Sequence, residues 1–301
     1  MRRVMRQVSI AARGLAPVLL RGEGGVGKNH VAQAIHNDSS RASKPFMAIN
    51  CRAIPHELMA SELLGEENDI RIRPSKFELA EGGTLLLDQV DSLSLEMQSA
   101  LLKMIETVYV MRLGGTLPIA VDVRIIAATS EDLEQRVSEG GFLPHLYYRF
   151  GVFNITIPPL RQRAEDLPLL AERFLARITQ RDSRATWIDD EAMTILRRYP
   201  WPGNVRELES ALERALHQSQ DGSIHISHLP DTVRQGRVMT PHSMQPQPLL
   251  SMADAEREAI IRAGWACRGR VSKMARNLQI GRTTLWRKMK RHNITPDQFK
   301  Q

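Results

Sequence analysis

A glycine-rich loop at residues 22–28 lies between a short apolar run, residues 17–20, and a segment with helical spacing. Further along the chain, three consecutive leucines at residues 85–87 belong to an apolar run that ends in Asp88. An uninterrupted apolar run is typical of a strand buried on both faces of a parallel sheet. Strand-like and helix-like segments alternate through the first 158 residues, which predicts an α/β fold with helices covering a parallel sheet.

Changes in composition and in the spacing of apolar residues along the chain predict four parts. They are an α/β unit at residues 1–158, a helical part at 159–232, a linker at 233–250 and a helical domain at 251–301. In the second part, helices are predicted at residues 167–178, 189–198 and 204–217. Asp189 and Asp190 suit the positive end of the middle helix. The linker is rich in Gln, Pro, Met and Ser, a composition that predicts mobility.

The positive charge is concentrated at the carboxyl end. Residues 251–301 hold 12 Lys/Arg and 4 Asp/Glu, a surplus of +8, which leaves 29 against 30, or −1, for the first 250 residues. A basic module of this kind is typical of polyanion binding. The alternative is a solvated basic tail, but apolar residues at helical spacing run through the same stretch.

Within this basic module, two short helical patterns flank a glycine-containing turn at residues 279–281. This arrangement predicts a helix-turn-helix whose second helix, residues 282–291, enters the major groove of DNA. Leu285 and Met289 are predicted to face the core, and Trp286 is also predicted to pack there, with contact to the DNA backbone as the alternative. The residues predicted to bind DNA are Arg282, Thr283, Thr284, Arg287 and Lys288.

Several classes of protein are disfavoured. The two cysteines, Cys51 and Cys267, are far apart and form no metal-ligand spacing, so a disulfide framework and a zinc site are not expected and a reducing cytoplasm fits. No run approaches the roughly 18 apolar residues of a membrane span. The first residues lack the sustained apolar stretch of a signal peptide, so we expect a cytoplasmic protein with no membrane contact.

The glycine-rich loop has the spacing of a phosphate-binding loop. Its glycines, Gly22, Gly25 and Gly27, allow backbone N–H groups to turn toward phosphate oxygens, while the following helix and Lys28 supply positive charge. Asp88 ends an apolar strand at the place where a magnesium-associated acid is needed. The expected cofactor is therefore ATP with Mg²⁺, and Asp88 is the predicted metal residue.

The chain resembles the AAA+ domain of bacterial enhancer-binding proteins, the sigma-54 activators, followed by a Fis-type DNA-binding domain. The ordered matches run from about residue 5 to residue 230 and include residues 18–23, 46–51, 77–85, 121–129, 146–149, 157–161 and 201–208. The basic carboxyl end is especially similar to regulators of dihydroxyacetone kinase operons, which govern glycerol use. The resemblance implies a P-loop sheet with a helical lid, and a carboxyl-terminal domain that dimerises through the helix at residues 253–263.

The resemblance also implies roles for single residues. Lys28 would contact the nucleotide phosphates, Asp88 would lie near the metal, and Arg206 would be the second-sensor arginine of the lid. Asn50 would restrain the catalytic glutamate, and Arg149 would be an arginine finger for the neighbouring subunit.

The chain departs from the family pattern at four positions of this site. The family has glutamate where this chain has Gln89, which cannot accept a proton at neutral pH. Leu143 replaces the first of two finger arginines, and Ser130 replaces the first-sensor asparagine. Asn29 follows Lys28 in place of Ser, Thr or Glu. These changes argue against vigorous ATP hydrolysis. Three possibilities stay open: an inert site, nucleotide binding without useful turnover, and real turnover.

A loop that contacts sigma-54 is also missing. The family carries the sequence Gly-Ala-Phe-Thr-Gly-Ala before its Phe-Glu segment, whereas here only 11 residues, 66–76, fill the gap and read as a polar surface turn. We therefore predict a regulator that binds promoter DNA and contacts RNA polymerase, acting as a homodimer or a higher oligomer without sigma-54 remodelling. The alternatives are a working sigma-54-dependent ATPase and an AAA+ chaperone or loader with an incidental basic tail.

Overall fold

The computed structural model describes residues 1–68, 70–179, 187–219, 222–236, 252–267, 269–292 and 294–299. The chain forms two compact units, residues 1–238 and 239–301. Most of the predicted linker, residues 237–250, lies outside the described residues. Within the described residues, no helix is both long enough and apolar enough to cross a membrane.

The first unit is built on a five-stranded parallel sheet of β1 (Val18–Arg21), β2 (Phe46–Asn50), β5 (Thr84–Asp88), β8 (Arg124–Thr129) and β9 (Phe153–Thr156). The order of these strands in the sheet is β2-β5-β8-β1-β9. Short antiparallel pairs, β3 (Glu66–Glu67) with β4 (Ile72–Arg73) and β6 (Tyr109–Val110) with β7 (Ile119–Ala120), lie outside it. The sheet is flanked by α1 (Arg2–Ala12), α2 (Lys28–Asn37), α3 (His56–Leu64), α4 (Lys76–Leu79), α5 (Leu95–Thr107), α6 (Leu133–Ser138) and α7 (Pro144–Phe150).

The leucine run occupies β5, as its continuous apolar character predicts. Leu85, Leu86 and Leu87 are fully buried, because apolar side chains cover both faces of the sheet. Leu85 and Leu87 belong to the core on one face, and Leu86 belongs to the core on the other. The predicted α/β fold with a parallel sheet is confirmed.

The helical part of the first unit contains α8 (Leu167–Thr179), α9 (Asp190–Arg198), α10 (Asn204–Gln218) and α11 (Asp231–Arg234). Asp189 caps α9, since its side chain accepts a hydrogen bond from the N–H of Ala192 at 2.6 Å. The sequence did not predict the parallel pair of β10 (Trp187–Ile188) and β11 (Ser223–Ile224). This pair connects the segment before α9 to the segment after α10. Trp201 fills the centre of the helical part and is 1% exposed.

The segment that was predicted to be a polar surface turn is a two-stranded hairpin. Strands β3 and β4 pair antiparallel, and the N–H of Glu67 donates to the carbonyl of Leu113 in the neighbouring hairpin at 2.9 Å. Ile70 and Ile72 are exposed there, so the segment is less uniformly polar than predicted. Asp69 lies outside the described residues.

The second unit contains α12 (Met252–Ala266), α13 (Val271–Asn277) and α14 (Arg282–Arg291). Its core includes Met274, Leu285 and Met289, each of them 0% exposed. The chain turns between α13 and α14 with Gln279 at a φ of 52°, and α14 begins after Gly281. The predicted orientation of Leu285 and Met289 toward the core is confirmed.

Candidate nucleotide and DNA-binding sites

The glycine-rich loop connects β1 to α2 at the carboxyl edge of the sheet. Gly22, Gly25 and Gly27 have positive φ angles of 152°, 76° and 99°, and α2 begins directly at Lys28. A cavity of about 240 Å³ opens over the loop and is lined by Gly24, Gly25, Gly27, Lys28, Asn29, His30, Asp88, Gln89, Val205, Arg206 and Glu209. The fold therefore brings most of the predicted nucleotide residues to one cavity. The backbone N–H donors and the positive charge of this cavity suit the phosphate chain of ATP.

Lys28 folds back onto the loop itself. Its ammonium donates to the carbonyl of Gly22 at 2.7 Å and to that of Glu23 at 3.1 Å, and the residue is 8% exposed. Burial lowers the pKa of Lys28 from its ordinary value, and repulsion from Arg206 adds to this, while Asp88 and Asp91 oppose the shift. A bound phosphate would give this buried ammonium an anionic partner in addition to the two neutral carbonyls.

Asp88 ends β5, Gln89 follows it, and both line the cavity together with Lys28. The Oδ1 atom of Asp88 is buried and has no hydrogen-bond partner among the described residues. An orphaned carboxylate oxygen at the rim of a phosphate-binding loop fits a magnesium ion or one of its water ligands, because magnesium takes oxygen ligands. Gln89 follows with a φ of 57° and lines the cavity, so an amide stands at the position where the sequence resemblance expects a glutamate.

Arg206 reaches the same cavity from the start of α10. The N–H of Val205 donates to the carbonyl of Gly25 at 3.0 Å, which fixes this helix end over the loop. Glu209, one turn further on, also lines the cavity and pairs with Arg177 at 3.2 Å. Sequence reasoning missed Glu209, although its i+3 spacing from Arg206 on a helix was a usable signal.

A second, larger cavity of about 430 Å³ adjoins the first and shares Gly27, His30, Val205 and Glu209 with it. Its other walls are mostly apolar and include Met5, Val31, Leu170, Phe174 and Leu208. An apolar cavity beside a phosphate-binding loop suits a flat heterocycle such as a nucleotide base. Sequence reasoning did not find this cavity, because its walls come from α1, α2, α8 and α10.

Asn204 joins the lid to the glycine-rich loop and was also missed. Its buried side chain accepts from the N–H of Leu160 at 2.8 Å and donates to Oε2 of Glu23 and to the carbonyl of Gly24, both at 3.0 Å. Glu23 in turn receives two hydrogen bonds from Arg161, which hold its pKa below the ordinary value. The approach is so close that a Cβ at Gly25 would lie 2.3 Å from the carbonyl oxygen of Gly203.

We predict that Asn204→Ala loosens this contact and lowers both nucleotide affinity and stability. The N–H of Leu160 would be left buried without an acceptor, which costs about 1–3 kcal/mol, and alanine tolerates the φ of 54° less well than asparagine. Asn204→Asp should be at least as damaging, because it places a carboxylate against that of Glu23. Thermal unfolding and titration with a fluorescent ATP analogue measure both effects; the exposed Asn154→Ala is the control, and an unchanged Asn204→Ala would contradict the role.

The remaining nucleotide-site predictions concern residues outside the cavity. Arg149 is exposed on α7 and does not line the cavity of its own chain. The N–H of Leu143 donates to the side chain of Gln98 at 2.8 Å at the start of the same helix. The Oδ1 of Asn50 accepts from the N–H groups of Arg52 and Ala53, so it caps the turn after β2. Ser130 is exposed just after β8.

The predicted DNA-binding residues lie on α14, but they are not equally available. Arg282, Thr283 and Arg287 are exposed, whereas Thr284 and Lys288 are half-buried. The ammonium of Lys288 pairs with Glu256 of α12, which also accepts from His292 at 3.2 Å. A carboxylate of α12 therefore holds Lys288, and its contact with DNA stays a prediction.

Trp286 is more exposed than predicted. Its side chain is 50% exposed on α14, although packing into the core was expected. Leu285 and Met289 already fill the buried face of the helix, which leaves the indole in solvent. Its neighbours on the exposed surface of the helix are cationic: Arg282, Arg287 and Lys290.

Comparison with known families agrees with this architecture. Residues 1–156 match the sigma-54 interaction domain, residues 161–246 match the AAA+ ATPase lid domain, and residues 251–292 match the bacterial regulatory protein Fis family. The first match covers more than half of the chain. The chain belongs to the sigma-54 interaction domain family, and it carries an AAA+ lid and a Fis-type helix-turn-helix, as the sequence resemblance predicted.

Curated relatives extend the comparison. The chain is 43% identical over 295 residues to the glycerol metabolism operon regulatory protein of Citrobacter freundii, covering 97% of this chain and 46% of that protein. It is 42% identical over 302 residues to the PTS-dependent dihydroxyacetone kinase operon regulatory protein of Escherichia coli (strain K12), with the same coverage. The predicted similarity to this branch of the family is confirmed. The chain spans about half the length of these relatives.

Among solved structures, NtrX from Brucella abortus in complex with ATP resembles the chain with a TM-score of 0.75 and 30% identity. The match covers 98% of this chain and 68% of that one. The same protein in complex with ADP gives a TM-score of 0.76 at 31% identity, covering 97% of this chain and 67% of that one. These matches support the same assignment of sheet, lid and carboxyl-terminal helices.

Proposed function

We propose that this chain belongs to a sequence-specific transcriptional regulator of a glycerol or dihydroxyacetone operon. It binds promoter DNA through α14, binds ATP with magnesium weakly or not at all, and contacts RNA polymerase without remodelling sigma-54. The boundaries proposed for its parts are residues 1–158, 159–232, 233–250 and 251–301. The observation that carries the proposal is the exposed, cationic surface of α14, centred on Arg287, in a Fis-type unit.

Nucleotide binding is supported by the cavity over the glycine-rich loop. Backbone N–H groups of the loop, Lys28 and Arg206 would hold the phosphates, and Asp88 would hold magnesium directly or through water. Magnesium, when bound, would neutralise charge on the phosphate oxygens. The solved relative NtrX is seen with both ATP and ADP, which makes nucleotides the first ligands to test.

Weak or absent hydrolysis is supported by two side chains. Gln89 lines the cavity where a general base is needed, and loss of such a base costs roughly 10²- to 10⁴-fold in rate. Leu143 stands in place of one finger arginine, and a missing finger costs about 10³- to 10⁵-fold in related chemistry. Arg149 is exposed and remains available as a single finger for a neighbouring subunit.

Action without sigma-54 remodelling is supported by the hairpin of β3 and β4. It occupies the place of the family's sigma-54-contacting loop, yet only 11 residues, 66–76, separate Gly65 from Phe77 and they lack the Gly-Ala-Phe-Thr-Gly-Ala sequence. The competing function is a sigma-54-dependent ATPase, which the match of residues 1–156 favours. In vitro transcription assays with sigma-54 polymerase and with the major-sigma polymerase distinguish the two functions. We expect the chain to regulate only the major-sigma polymerase.

DNA binding is expected to involve a homodimer through α12, or a higher oligomer. Two copies would place two α14 helices on half-sites about 34 Å apart, one turn of the duplex. Affinity should fall steeply as salt rises, because phosphate contacts release counterions. Footprinting the full chain on the promoter next to its own gene, with and without ATP, tests specific binding and its dependence on nucleotide.

We predict that Arg287→Ala weakens binding to the footprinted site by about 1–3 kcal/mol if the guanidinium reads a base. Arg287 lies directly opposite the buried face of α14 and is exposed, which suits a bidentate contact to guanine. The exposed Arg197→Ala in α9 removes the same charge from the other unit and should leave affinity unchanged. Equal affinities of the Arg287→Ala variant and the parent chain would refute the contact.

A further inference from the structure

Helix geometry alone leaves the DNA-facing surface of α14 undecided. Successive residues turn by about 100°, so Trp286 and Lys288 lie on opposite flanks, each about 80° from the direction of buried Leu285 and Met289. The tertiary contacts separate these two flanks. Lys288 is half-buried and held by Glu256 of α12, whereas Trp286 is half-exposed.

The available surface is therefore displaced toward the tryptophan. It includes the exposed residues Arg282, Thr283, Trp286, Arg287 and Lys290, which we term the reading face; Arg291 is also exposed, but it is the last residue of the helix. Arg282 and Trp286 are four residues apart and so are neighbours on the helix surface. This puts a large aromatic ring inside a cationic surface, one turn into the helix whose amino-terminal part contacts bases in this class of domain.

The chemistry of the major groove limits what such a ring can contact. Base edges there offer hydrogen-bond donors and acceptors, and the one apolar group is the C5-methyl of thymine. An indole has a single donor and no acceptor, so most of its exposed surface can gain only from apolar contact. A solvated tryptophan among arginines and lysines is explained if that surface becomes covered when DNA binds.

We propose that Trp286 is a specificity-determining residue that contacts the methyl group of a thymine in each half-site, next to the base read by Arg287. This inference rests on the proposed function, since it assumes that α14 enters the major groove. It also assigns Lys288 a structural role: its pairing with Glu256 fixes the rotation of α14 that presents Trp286.

The test uses the full 301-residue chain. A site is first selected from a pool of random duplexes, and each thymine in it is then replaced singly by deoxyuridine, which removes only the methyl group. For the parent chain, replacing one particular thymine in each half-site should weaken binding roughly fourfold for each methyl group lost. This factor follows from the value of about 0.8 kcal/mol for a buried carbon group. Trp286→Ala should bind the thymine and uracil sites equally, whereas Trp286→Phe should keep the preference.

The outcomes separate the inference from the function on which it rests. If the parent chain selects no sequence, the proposed function fails. If it selects a site but Trp286→Ala keeps the thymine preference, the inference fails alone. A uniform loss of affinity in both Trp286→Ala and Trp286→Phe overturns it in favour of a phosphate contact by the indole N–H. Lys288→Ala should reduce the preference for thymine over uracil, because it removes the pair with Glu256; an unchanged preference would contradict the role given to Lys288. Sedimentation must show the same oligomer for the parent chain and Trp286→Ala, because a changed oligomer also overturns the inference.

Discussion

Gln89→Glu should raise ATP hydrolysis by about 10²-fold or more over the parent chain. Gln89 lines the cavity between Asp88 and the loop, and its amide cannot accept a proton from water at neutral pH. Glutamate has the same length and would occupy the same position after β5, so the substitution adds a proton acceptor with little change in shape. Arg149, which we propose as a single finger, is exposed on α7 and would be available to the variant.

The measurement is phosphate release by the parent chain, by Gln89→Glu and by Lys28→Ala. We expect the parent and Lys28→Ala to release phosphate at the same low rate, because neither completes the site. Gln33→Glu, the same chemical change on α2 outside the cavity, should leave that rate unaltered. Parent turnover far above that of Lys28→Ala would contradict the proposal of a degenerate site and favour the sigma-54-dependent ATPase.

If Gln89→Glu binds ATP but stays slow, the limiting change lies elsewhere. The double substitution Gln89→Glu with Leu143→Arg then restores the first of the two proposed finger positions, at the start of α7. A gain only in the double variant would assign the loss of turnover to the subunit interface, since a finger acts on the neighbouring subunit.

Trp201→Ala should be the most destabilising single change in the lid. The indole is 1% exposed, donates to the carbonyl of Leu196 at 2.8 Å and packs edge-to-face on Tyr199 at a ring distance of 5.0 Å. Truncating a buried tryptophan costs about 3–5 kcal/mol. Because Trp201 lies just before Asn204 and Arg206, the loss should also displace the lid residues that face the glycine-rich loop.

Urea unfolding followed by circular dichroism measures the first effect, and ATP-analogue binding measures the second. The matched control is Trp187→Ala, since Trp187 is 58% exposed in β10 and surface substitutions usually change stability by less than about 0.5 kcal/mol. Similar unfolding midpoints for the two variants would contradict the central role of Trp201. A stable Trp201→Ala variant that no longer binds nucleotide would instead limit that role to positioning the lid.

Local patterns predicted the framework well. The bounds of α14, Arg282–Arg291, coincide with the predicted second helix, and β5 contains the predicted leucine run. Both depend on periodic burial, which a short window of sequence records directly. The capping of α9 by Asp189 is also local, because a cap is a contact over three residues.

Contacts between distant segments were not predictable in this way. Asn204 meets Glu23 across 181 residues of sequence, and neither residue type signals the other. Glu209 and the apolar cavity beside it depend on how the lid packs over α1 and α2. The ordinary polar character of Asn204 indicates nothing until its surroundings bury it.

The sequence by itself determined the parallel sheet, the glycine-rich loop, the amide side chain at Gln89 and the basic helix-turn-helix, because each depends on residue type and local spacing. Only the tertiary structure decided which flank of α14 is free. Trp286 and Lys288 are equivalent by helical geometry, but Glu256, 32 residues before Lys288, pairs with Lys288 and leaves it only partly exposed. A side chain's partner is set by the packing of whole helices, and that packing depends on the rest of the chain.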